Sequence, residues 1–355
     1  MNRARRGGAL IAPALAVALL WLSGAARCAA EDLPQRELAS ALSQLADNYP
    51  RVEQRMGREA AADLEERLFT DLGEVALDNA PEGYPASAWR ERLEHVAAMD
   101  ASIVAQVVGT PMPVAGSHGL VERLVVAHDG TLQPFALYVP DGPTAAGDRS
   151  LVVLLHGRPQ TESEILGSPY FRTLADRTGT MIAAPWGRGI YDFGPPGDDE
   201  VYQVATMVAS AFGIPARRVF LAGYSMGGFS VFKIGPEHPE QWAGVMCISG
   251  SVLNSGADAV RSAFARTRMY VVTGTLDDSI PTQYPQGTAA YLESVGIPTA
   301  LYVEPAGTHG IYTLIPSLTR AWTDMLAGRL GGIVPGGTNA LPAMAPPGLS
   351  TAPRS

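Results

Sequence analysis

Lysine is almost missing from this chain of 355 residues: of 26 basic side chains, Lys233 alone is not arginine. No basic run exists, and acids outnumber bases 35 to 26, giving a net charge of −9. A chain of that charge has no footprint for nucleic acid or anionic lipid. Cysteine is as scarce. Cys28 and Cys247 rule out a disulfide framework and any cysteine-rich zinc site. Cys247 lies in the apolar run Val245–Ile248 and reads as a buried, inert thiol. Long apolar runs are also lacking. The longest, Ala9–Leu22, falls short of the roughly 20 residues a membrane span needs.

What is present begins with that run. Arg3, Arg5 and Arg6 precede it, and the small residues Ser23 to Ala26 and Ala29-Ala30 follow. This is the pattern of a secretory leader, with cleavage expected after Ala30 and a secreted or periplasmic destination. No stable membrane insertion is expected after cleavage. Without residues 1–30 the balance becomes 22 basic against 35 acidic, or −13. At the other end, residues 331–355 hold five Gly and five Pro and no apolar period, so they read as a flexible tail.

Between the ends, 46% apolar content suffices for a sizeable core. Over residues 33–108 apolar positions recur at helical spacing, as in Leu38/Leu42/Leu45, Leu64/Leu68/Leu72 and Trp89/Leu93/Val96, with Pro81, Gly83 and Pro85 as a break. Residues 31–113 are therefore expected as a helical appendage, a packing or spacer element before a catalytic one. From Leu120 the texture changes. Val121–Ala127 and Leu132–Val139 flank Asp129-Gly130 as a hairpin. Short apolar runs follow at Leu151–Leu155, Met181–Ala184, Val219–Ala222, Val245–Ile248, Met269–Val272 and Ala300–Val303, with helix-length segments such as Asp199–Phe212, Met226–Ile234, Gln283–Val295 and Ser317–Leu326 between them. Runs of this kind suit strands buried on both faces. The expectation is an α/β fold over 114–330: eight strands, mostly parallel, with helices on both sides.

One motif carries chemistry. Gly223-Tyr224-Ser225-Met226-Gly227-Gly228 is G-x-S-x-G between a buried strand and a helix. A serine on so tight a turn needs glycine on either side and stands at the carboxyl end of the sheet. It becomes a nucleophile only when a base takes its proton. Of six histidines, His309 alone sits in a Gly-flanked loop, Gly307-Thr308-His309-Gly310, between the last strand and the last helix. His156 ends a strand and reads as a brace for its loop. The base needs an orienting carboxylate; Asp277 and Asp278, after the strand ending at Gly274, compete for that part. An oxyanion needs two preorganised N–H donors. Met226 N–H follows the serine, and Arg158 N–H in His156-Gly157-Arg158-Pro159 is the favoured second. The Arg158 side chain either binds an acidic group of the substrate or lies in solvent.

These residues, with Leu155-His156-Gly157, Gly274-x-x-Asp277…Pro281 and Pro185-Trp186-Gly187-Arg188-Gly189, resemble the α/β-hydrolase fold over about residues 120–328. The hairpin leading into His156-Gly157 is similar to that of secreted esterases near the polyhydroxybutyrate-depolymerase, feruloyl-esterase and prolyl-oligopeptidase-like groups. The resemblance implies a serine esterase with a Ser225, Asp277, His309 triad and an oxyanion site at Met226 and Arg158. It places the acid on Asp277, acts on a small-molecule or polymeric ester, and requires no metal or cofactor. A prolyl-oligopeptidase-like peptidase and an inactive binding scaffold are the alternatives. The helical appendage has no counterpart in these groups.

Overall fold

The computed structural model describes residues 33–141, 149–189, 193–252 and 257–331. The expected leader, and the expected tail beyond Gly331, lie outside the described residues. The strands are β1 (Gly119–Val126), β2 (Leu132–Val139), β3 (Ser150–Leu155), β4 (Thr180–Pro185), β5 (Val219–Tyr224), β6 (Gly244–Ile248), β7 (Arg268–Gly274) and β8 (Thr299–Glu304). They form one sheet in the order β1-β2-β4-β3-β5-β6-β7-β8. β1 and β2 pair antiparallel, β2 runs antiparallel to β4, and all later pairs are parallel. The expected eight-stranded, mostly parallel α/β sheet is therefore present, each strand within about two residues of its apolar run.

Alternation along the strands explains the layers. Leu151, Val153 and Leu155 point to one face; Val152 and Leu154 point to the other, and all are buried. The first face carries α7 (Gly197–Phe212), α8 (Met226–Ile234), α9 (Ala257–Phe264) and α10 (Gln283–Ser294). The second carries α5 (Glu162–Gly167), α6 (Pro169–Thr178) and α11 (Ile315–Leu326). α5 starts with a capping box: Thr161 Oγ1 accepts from Glu164 N–H (3.3 Å), and Glu164 Oε2 accepts from Thr161 N–H (2.6 Å).

The helical segment ahead of the sheet comprises α1 (Leu33–Asp47), α2 (Tyr49–Met56), α3 (Arg58–Leu77) and α4 (Ala86–Val108). Gly57, at φ +89°, turns the corner between α2 and α3. The leucines seen at helical spacing, Leu38, Leu45, Leu64 and Leu68, meet in one core. That core is closed by side chains from outside the segment: Leu124 of β1, Leu132 of β2, and Trp186 after β4.

Charge joins the same parts. The buried Arg67 guanidinium of α3 bonds Asp100 of α4, Glu162 at the start of α5 (2.5 Å) and Ser163, while Ser163 Oγ also reaches Glu122 of β1 (3.0 Å). Arg92 bonds Glu74 (3.0 Å) and Glu164. Burial raises the carboxyls of Asp71, Glu122 and Glu162, and neighbouring carboxylates push each further in that direction while Arg67 pulls back; Glu162 stands at about 7.

Candidate active site

The G-x-S-x-G segment forms the turn from β5 into α8. Ser225 holds φ +52° and ψ −113°, a conformation that L-residues avoid and that the surrounding packing must enforce. Backbone crowding makes that possible only with glycine nearby. A Cβ on Gly223 would lie 2.1 Å from Gly227 O, and one on Gly227 would lie 2.3 Å from Leu155 O. Ser225 N–H donates to Ile248 O (2.9 Å) and Gly227 N–H to His156 O (3.0 Å), which pins the turn between β6 and the loop after β3.

His309 reaches this turn from the loop after β8. Its Nε2 lies 2.9 Å from Ser225 Oγ, and its Nδ1 lies 3.0 and 2.9 Å from the two oxygens of Asp277. A carboxylate can only accept, so the ring proton sits on Nδ1 and the Nε2 lone pair faces the serine hydroxyl. Of the two adjacent acids, Asp277 is the one that faces the ring. Asp277 is buried and its Oδ1 also accepts from Ser279 N–H (3.1 Å) and Ile280 N–H (2.7 Å), whereas Asp278 is exposed. Burial alone would raise the Asp277 carboxyl; the His309 hydrogen bond and the Ile280 N–H outweigh it and hold the group below its ordinary value. Tyr224, buried beside the serine, donates its hydroxyl to His309 O (2.7 Å), with the two rings 5.2 Å apart. This contact gave no signal in the sequence, because Tyr occupies the variable x of the motif.

Of the two expected oxyanion donors, Met226 follows the serine in the chain and Arg158 lies in the loop packed against it. Met226 opens α8, where first-turn N–H groups have no intrahelical acceptor. Arg158 belongs to the loop that crosses the nucleophile: a Cβ on its neighbour Gly157 would lie 3.2 Å from Ser225 Cβ and 2.9 Å from the Tyr224 ring. His156 is fully buried, with Nδ1 3.0 Å from Gly157 O and Nε2 3.1 Å from Trp186 O, so it ties this loop to the one after β4. Burial lowers its pKa, against the pull of the two carbonyls it faces. The remaining histidines lie elsewhere: His95 contacts Glu91 O (2.7 Å), His128 Asp199 (3.4 Å), His238 Glu240 (3.5 Å), and His118 is exposed. Cys247 is fully buried, its thiol pushed up to about 12 by desolvation.

Among the described residues one carboxylate group, Asp71, Glu74 and Glu164, brings ligand oxygens within 4.8 Å of one another. Arg92 already neutralises two of the three, so the group reads as part of the ion-pair network. Among the described residues no helix is long and apolar enough to cross a membrane.

No family model matches the chain. Over 158 residues, 41% of its length, the chain is 25% identical to NocK of Nocardia uniformis subsp. tsuyamanensis, a protein named as an esterase, and covers 45% of it. Over 155 residues it is 26% identical to the bifunctional acetylxylan esterase/xylanase XynS20E of Neocallimastix patriciarum, of which it covers 22%. The chain thus spans about half the length of the first relative and about a fifth of the second. Among solved structures, the S-formylglutathione hydrolase FrmB of Staphylococcus aureus superposes with a TM-score of 0.49 at 18% identity, over 59% of this chain and all of that one.

Proposed function

We propose that this chain is a serine hydrolase that cleaves carboxylic esters. The observation that carries the reading is the unbroken line Asp277–His309–Ser225, with contacts of 2.9 Å on either side of the imidazole. Ser225 Oγ attacks the ester carbonyl carbon while His309 Nε2 takes its proton. Asp277 holds the ring and stabilises the imidazolium. The carbonyl oxygen gains charge against the N–H groups of Met226 and Arg158. His309 then returns its proton to the departing alcohol oxygen, leaving an acyl-serine. Water attacks that ester with the same base, and the carboxylic acid departs. Similarity to two proteins with esterase names supports the ester class over the peptide class. We further propose a secreted or periplasmic location, on the strength of the leader pattern in residues 1–30.

The test is hydrolysis of short-chain p-nitrophenyl esters by the chain from Glu31 onward, beside a matched peptide p-nitroanilide. Ester turnover is expected, reduced by about 10³-fold or more in Ser225→Ala. Turnover of the anilide alone would make the protein a peptidase. No turnover and no labelling of Ser225 by a fluorophosphonate would defeat the triad reading.

A further inference from the structure

Beside the triad lies a cleft of about 180 Å³ whose lining comes from four separate stretches of chain. Tyr224 and Gly310 line it, one residue from Ser225 and from His309 respectively. Tyr170 and Phe171 of α6 and Ile165 of α5 form one side. Tyr84 and Pro81 line it from the turn joining α3 to α4. Tyr84 lies 5.2 Å from the Tyr312 ring and 5.8 Å from the Tyr170 ring, edge-on to both, and Tyr170 lies 6.3 Å from Tyr312.

The turn is fastened to the sheet side. Tyr84 donates its hydroxyl to Ser168 Oγ (2.9 Å), and Tyr312 donates its hydroxyl to Glu82 O (3.1 Å). The helical segment therefore reaches the site through a held aromatic side chain.

We propose that this turn is a specificity element: Tyr84, with Tyr170 and Tyr312, forms a pocket that binds an aromatic ring of the ester. The proposal rests on the ester-hydrolase reading and deepens it. Size, shape and polarity agree. A cavity of about 150 Å³ admits a benzene ring. Aromatic side chains prefer edge-to-face or offset neighbours with centroids about 4.5–7 Å apart, and an entering ring meets three such partners. Gln160 also lines the cleft, so its polar side chain borders an otherwise mainly aromatic and aliphatic wall.

The ring can belong to the acyl or to the alcohol half of the ester, and the experiment separates them. kcat/KM is measured for benzyl acetate, ethyl phenylacetate and ethyl acetate. One aromatic ester is expected to outrun ethyl acetate, and Tyr84→Ala is expected to lower that ratio about tenfold, mainly through KM. Tyr84→Phe, which keeps the ring and loses only the bond to Ser168, is expected to hold the ratio within about twofold. A ratio unchanged in Tyr84→Ala for both aromatic esters overturns the proposal and leaves the ester-hydrolase reading standing. If no ester is turned over, binding of benzyl alcohol and of phenylacetate to Ser225→Ala decides the pocket by itself. Binding that weakens when Tyr84→Ala is added supports it; absent or unaltered binding overturns it. A Tm of Tyr84→Ala within a few degrees of the parent shows that the turn remains folded; if it does not, Tyr170→Ala carries the comparison, with the same fall in the ratio expected and an unchanged ratio overturning the proposal.

Discussion

Asp277 and Asp278 are adjacent in sequence and opposite in environment, and the difference has a kinetic consequence. Asp277 accepts from two backbone N–H groups as well as from His309, so its carboxylate is aimed before any substrate arrives. Asparagine at that position would present an N–H₂ or a neutral oxygen to Nδ1, and the imidazole would take the wrong tautomer. Asp277→Asn is expected to lower ester kcat by about 10⁴-fold, while Asp278→Asn stays within about twofold of the parent. Equal losses in the two variants would remove Asp277 from its assigned part. The strand-turn-helix context of Ser225 and the Gly-flanked loop of His309 were both legible from residue types, because an elbow with φ +52° requires glycine where Gly223 and Gly227 stand. The choice between two consecutive acids was not legible from the residues alone, since it depends on side-chain direction within one turn. Nor was Tyr84, which reaches the cleft from a break between helices far from the motif in sequence.

At the level of elements, the strands were readable because each is a short apolar run buried on both faces, and two-residue alternation sorts the helices to their sides. The docking of the helical segment was not readable. Arg67, Asp100, Glu122 and Glu162 come from α3, α4, β1 and α5 at no regular spacing, and only the assembled layers bring them together. The network predicts a pH dependence. A carboxyl with a higher pKa folded than unfolded binds more protons in the folded state, so its contribution is complete below about pH 4.5 and is lost as pH rises toward the folded value. For Glu162 and for Glu200 that folded value is about 7, in each case chiefly through burial. Asp277 and Asp129 lie below their ordinary values and act in the opposite sense at more acid pH, and His156, lowered by burial, opposes the fall below about pH 6.5 as a single group against several carboxyls. Thermal melts are therefore expected to show Tm falling by several degrees between about pH 5 and pH 8. Glu122→Gln, which removes one buried carboxyl from the network, is expected to flatten that fall. A Tm that rises over the same interval would contradict the raised values.

For the whole molecule, the question is whether the helices and the sheet are separable. Trp186 argues that they are not. Its fully buried side chain sits in the helical core, while its carbonyl faces His156, the brace of the loop that crosses Ser225. Leu124 and Leu132 tie the antiparallel hairpin to the same core. A single unfolding transition is expected in denaturant, by circular dichroism and by tryptophan fluorescence alike. Trp186→Ala is expected to destabilise that one transition by about 3–5 kcal/mol. Two resolved transitions, with Trp186→Ala moving only the first, would mean independent units.

That shared tryptophan also sets an order of events during synthesis. Helix α4 ends at Val108, so 78 more residues must be made before Trp186 can close the core that α1 to α4 begin. At ~5–20 residues per second the helices wait roughly 4–16 s with an apolar face uncovered. A segment that cannot finish folding without a later residue stays loose while the sheet is still being made, and the cleft beside Ser225 is walled only once the chain is long enough to fold as a unit.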